Sequence, residues 1–103
     1  MQPRTLQIEN FGTSQPKMPF IAAMQEAPED YVIKKVTLSC NKQEVLKCHT
    51  EIGYEPDKME KRPFTPGVEI NHNVKKGQLA RIVIQASVFV PEGVKGNATV
   101  EIA

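Results

Sequence analysis

Leu79-Ala80-Arg81-Ile82-Val83-Ile84-Gln85-Ala86-Ser87-Val88-Phe89-Val90-Pro91 reads with a period of two. Ala80, Ile82, Ile84, Ala86, Val88 and Val90 fall on one side, as the inward face of a β-strand does. The other side is unusual. A sheet with one wet face shows polar residues there, yet Leu79, Val83 and Phe89 interleave with Arg81, Gln85 and Ser87. At roughly 25 cal/mol per Å2 of apolar surface, leaving Val83 and Phe89 uncovered forgoes several kcal/mol. A cover is therefore expected, either the Met18–Met24 segment, another loop, or a partner.

Working outward, Lys75-Lys76-Gly77 reads as a turn, with Gly77 free to take the left-handed conformation. Before it, Val68, Ile70 and Val74 alternate with Glu69, Asn71 and Asn73 as another strand. After Pro91-Glu92-Gly93, Val100 and Ile102 alternate with Thr99 and Glu101 in a last strand, expected at a sheet edge. Further upstream, Val32, Val36, Leu38 and Cys40 share one face, with Lys34 breaking the pattern. Leu46, Cys48, Thr50, Ile52 and Tyr54 share another, opposite Lys47, His49 and Glu51. A short Asn41-Lys42-Gln43 loop would pair the two as an antiparallel hairpin, Leu38 opposite Leu46 and Val36 opposite Cys48.

Gly53 to Gly67 holds Pro56, Pro63 and Pro66 among six charged residues, and is expected to be a long surface loop. In the N-terminal third, Leu6 and Ile8 suggest a short strand, and residues 18–27 fit either two helical turns or an extended strand. The whole predicts a single mostly β domain over residues 1–103. Its expected form is an antiparallel β-sandwich, immunoglobulin-like or related, or a partly open barrel, with room for one short N-terminal helix.

The chemistry-bearing residues do not assemble into a reaction centre. Cys40, Cys48 and His49 lack the paired spacings of a structural zinc site, and His49 faces away from both thiols. In the hairpin register Cys48 faces Val36 rather than Cys40, so the cysteines are expected as reduced core residues. Neither His49 nor His72 stands beside a nucleophile motif, and the six glycines are dispersed at turns rather than gathered in a phosphate loop. No catalytic, cofactor or metal residues are assigned, and an enzyme is not expected.

The charge balance points the same way. Thirteen Lys and Arg against twelve Asp and Glu give a net charge of +1, with no clustered positive excess of the kind that phosphate binding uses. No leader-like apolar segment and no apolar run of the ~18 residues a membrane helix needs is present. The expectation is a soluble cytoplasmic protein with no membrane contact.

What remains is binding by surface. The first expectation is a non-enzymatic protein-interaction module: an assembly subunit, adaptor or small inhibitor of phage or bacterial type, with another protein or a second copy of itself as partner. Its expected contacts are Tyr54, Lys58, Lys61, Arg62 and Phe64 in the proline-bounded loop, plus Val83 and Phe89 where that face is free. Pairing through the Thr99–Ala103 edge is a second route to self-association. The alternative is a single-stranded nucleic-acid-binding β-barrel that stacks bases on the aromatics of the same loop.

Overall fold

The structure, a computed structural model, describes residues 3–103; Met1 and Gln2 lie outside them. Its strands are β1 (Arg4–Thr13), β2 (Phe20–Met24), β3 (Tyr31–Cys40), β4 (Leu46–Gly53), β5 (Glu60–Phe64), β6 (His72–Val74), β7 (Leu79–Ala86) and β8 (Val94–Ile102). They form two antiparallel sheets, a first in the order β1-β8-β3-β6 and a second in the order β2-β7-β4-β5. Strands equally far from the two ends pair: β1 with β8, β2 with β7, β3 with β6, β4 with β5. The chain is thus one long hairpin turning at β4–β5, rolled until β3 meets β8 and β4 meets β7. That winding is a jelly roll, a sandwich related to the immunoglobulin type but with a different strand order.

Ile33, Val36, Val100 and Ile102 from the first sheet meet Ile52, Ile82 and Ile84 from the second in one core. Phe11 and Phe20, with ring centroids 5.9 Å apart, fill the flank between β1 and β2. The opposite flank, between β5 and β6, closes with polar groups. Thr50 Oγ1 lies 2.9 Å from His72 Nδ1, and Arg62 Nη1 donates to the Asn73 carbonyl at 3.4 Å.

Several sequence expectations change. β3 and β4 do not form a hairpin; they lie in opposite sheets, joined by a 3-10 turn over Gln43–Val45 that follows left-handed Lys42. Alternation states which side chains face inward. It does not distinguish two strands of one sheet from two strands facing each other across a core. Lys34 breaks the pattern because β3 carries a register shift between Ile33 and Lys35. That shift puts Tyr31 and Ile33 inward before it and Val36 and Leu38 inward after it.

The 53–67 segment is not one loop, since β5 runs through it and pairs with β4 from Cys48–Phe64 to Ile52–Glu60. Residues 20–24 are strand, not helix, with Phe20, Ala22 and Met24 turned inward; pairing to β7 overrides the local helix preference of Ala and Met. β6 is shorter than expected, leaving Val68 exposed in the preceding loop. β7 ends at Ala86, opposite the first residue of β4, and the Ser87 N–H and hydroxyl both donate to the Val45 carbonyl, at 2.7 and 2.8 Å. Val88, beyond the strand, points to solvent instead of inward.

β8 is not an edge strand. It runs between β1 and β3, so the Thr99–Ala103 backbone is largely occupied and the route to self-association through it is closed. β3 and β8 approach so tightly at Cys40–Gly96 that a Cβ on Gly96 would overlap the Ser39 carbonyl oxygen and the Cys40 side chain. Among the described residues no helix is long and apolar enough to cross a membrane.

Candidate interaction surface

Both cysteines are free thiols. Cys48 faces the core, where burial, with a smaller push from Cys40, raises its pKa to about 11 and leaves the thiolate inaccessible near neutrality. Cys40 is half-buried and also raised, chiefly by burial. Among the described residues no three His, Cys, Asp or Glu side chains converge as a metal site would require. His72, turned inward from β6, meets a fully buried Thr50 hydroxyl.

The outer faces of the two sheets differ sharply. On the first, β1 presents Thr5, Gln7 and Glu9, β3 presents Thr37 and Ser39, and β8 presents Asn97, Thr99 and Glu101. Lys35 pairs with Glu101 at 3.4 Å. This is an ordinary wet face. On the second sheet, the register sets Ile21, Val83, His49 and Pro63 in a row across β2, β7, β4 and β5, and Ala23, Arg81, Glu51 and Lys61 in the next.

Val83 is only 3% exposed although it points outward, between its register partners Ile21 on β2 and His49 on β4. β2 does not cover this face. It lies beside β7 in the same sheet, with Ile21 exposed at the rim.

Next to Val83 stands a packed ionic group. Glu51 Oε2 lies 3.2 Å from His49 Nε2, and Glu51 Oε1 lies 3.2 Å from Arg81 Nε. The second contact is at ion-pair distance without hydrogen-bond alignment, so Arg81 Nε is buried with no hydrogen-bond acceptor. Arg81 Nη2 donates instead to the Pro56 carbonyl at 2.8 Å, drawing the β4–β5 loop to the margin of the face. The Glu51 and His49 side chains are 14% and 18% exposed, low for charged groups on the outside of a sheet.

The apolar character continues past the end of β7. Phe89 is 62% exposed, with Val88 beside it and Met18 in the neighbouring β1–β2 loop. These loops are braced. Val90 N–H donates to the Ser14 carbonyl at 2.8 Å, and the Asn41 side chain bonds both the Gly93 carbonyl and the Lys95 N–H. Lys42 and Glu92 form an ion pair across the same end.

The expected contact residues are thus divided. Val83 forms the floor of the face, Lys61 its rim, and Phe89 its apolar end. Arg62 and Phe64 turn inward from β5, Arg62 pairing with Glu60 at 3.1 Å and Phe64 packing on the core. Tyr54 and Lys58 lie in the β4–β5 loop at the opposite end of the sandwich, Lys58 paired to Glu55. Ile21, Met18 and Val88 were not singled out by the sequence pattern. Ile21 sat in a segment open to a helical reading, and Val88 in the inward set of β7. No family model, no curated protein and no solved structure matches the chain, so its function is argued from this surface.

Proposed function

We propose that the chain is a non-enzymatic protein-interaction module, an assembly subunit, adaptor or small inhibitor, whose contact surface is the outer face of the second sheet. The surface extends from Ile21 and Lys61 to Met18, Val88 and Phe89. The observation that carries the reading is the contrast between two faces of one sandwich. One is polar apart from half-buried Val32, while the other gathers an outward but buried Val83, a packed ionic group and exposed Ile21, Val88 and Phe89. Apolar patches on small domains mark contact sites, and aromatic anchors at the centre or end of such patches supply much of the binding energy. The braced loops support it further, because a preordered surface loses little entropy on binding. Two free thiols suit the reducing, cytoplasmic setting that the reading assumes.

The nucleic-acid alternative has less support. Lys58 and Arg62 are taken by Glu55 and Glu60, Phe64 faces inward, and the exposed aromatics Tyr54 and Phe89 stand at opposite ends of the molecule. A stacking platform needs aromatics and cations side by side.

The test is a comparison of tagged proteins isolated from their native cells. The double variant Ile21→Lys/Phe89→Glu should keep its thermal midpoint and lose whatever stoichiometric partner the parent retains. Thr37→Lys/Thr99→Glu on the first sheet should keep it. Loss in the second variant and retention in the first would reject the assignment.

A further inference from the structure

Where β4 and β5 run out toward the 41–45 and 65–71 loops, the contact face opens into a groove of about 840 Å3. Pro63 and Pro66 make its apolar wall together with Leu46 and Phe64, which turn inward yet stay only half-buried. Leu46 and Phe64 pack against the core, and the two prolines fix their own backbone, so the wall is rigid. Lys47 and Lys61 stand at the rim with Gln85.

The charge at this rim is only partly compensated. Among the described residues neither Lys47 nor Lys61 has an ion-pair partner; Lys17, Lys34, Lys76 and Lys95 have none either, but Lys47 and Lys61 are the two that line one groove together. Register places Lys61 opposite Glu51, but the two oxygens of that carboxylate are already met by His49 and Arg81. The one carboxylate among the groove's lining residues is Glu44, so two lysines against one acid leave the lining with a net positive charge.

We propose that this groove is the docking site for an acidic segment of a protein partner. An aliphatic or aromatic side chain of that segment enters the wall of Leu46, Pro63, Phe64 and Pro66, and flanking carboxylates meet Lys47 and Lys61. The proposal rests on the protein-contact reading of the face and names the ligand chemistry for one part of it. Charge complementarity selects the occupant. A second copy presenting the same patch would set lysine against lysine. A nucleic-acid strand would find two free cations and no exposed aromatic in the groove, too little to track a phosphate backbone.

A phage-displayed library of random peptides, selected against the folded full chain, tests this directly. The expected peptides place Asp or Glu beside Leu, Ile, Phe or Met. A fluorescein-labelled synthetic copy of the most enriched peptide should bind the parent, with affinity falling on the order of tenfold in Lys47→Glu and again in Lys61→Glu. It should be unchanged in Lys95→Glu on the first sheet. Replacing the peptide's acids by Asn and Gln should weaken binding comparably.

Selection of no peptide, of peptides without acids, or of peptides indifferent to both lysines would overturn the proposal. So would displacement of the peptide by an equal concentration of oligo-dT. If the groove fails while Ile21→Lys/Phe89→Glu still sheds the native partner, the contact face stands and only its acidic ligand is withdrawn.

Discussion

His72 illustrates how a single residue's setting turns on facing. It sits in a polar Asn71-His72-Asn73 run, yet shares its side of β6 with buried Val74 and so points between the sheets. There its Nδ1 lies 2.9 Å from the buried Thr50 hydroxyl. Burial, and then the Arg62 charge, hold its pKa below the ordinary 6.5, against a smaller opposing effect of Glu60. With the folded value below the unfolded one, the unfolded chain takes up the proton first as pH falls. The resulting stabilisation is whole above about 6.5 and is lost as pH drops from there through the folded value. An NMR titration should therefore give His72 a midpoint below 6.5. His72→Asn, whose side-chain oxygen can accept from Thr50, should flatten the loss of urea stability between neutral and mildly acidic pH. A midpoint at or above the ordinary value, or an unchanged slope, would contradict this account. The inward turn of Thr50 was legible from its place among Leu46, Cys48 and Ile52. Its meeting with His72 was not, because the two belong to opposite sheets.

At the scale of the element, period two was enough to find most strands and too little to pair them. β3 and β4 kept most of their inward residues while exchanging a hairpin for opposite sheets. Tyr54, the last of the inward set of β4, fell outside the strand and became exposed. Proline and charge hid β5 because both mark loops and both also mark edge strands. Pro63 stands opposite His49 in an otherwise regular antiparallel ladder. Lacking an N–H, it fits the position whose nitrogen points away from β4, so the free edge of the second sheet lacks a donor there. Pro63→Val restores that donor and should promote edge-to-edge self-association, seen as concentration-dependent faster sedimentation. A variant that sediments as the parent does at every concentration would show that Pro63 does not guard this edge.

For the whole molecule, the apolar outward residues of the 79–91 stretch were the clearest anomaly in the sequence, and the structure separates them. Val83 is buried within the sheet, whereas Phe89 lies beyond the end of β7 and is open. The surface that joins them was out of reach of sequence period, because Ile21, Val83, His49 and Pro63 come from four strands brought into one row only by the rolled hairpin. Lys61 and Phe89 belong to that surface or its end; Tyr54, Lys58 and Arg62 are placed elsewhere by the same winding. The central claim is that one face of the sandwich makes contact and the other faces water. A photo-crosslinking amino acid placed in turn at Ile21, Phe89, Thr37 and Thr99 in native cells measures this most directly. Specific adducts of one size at Ile21 and Phe89, with none at Thr37 and Thr99, are the predicted result. Adducts at the first-sheet positions and none at Ile21 or Phe89 would contradict it.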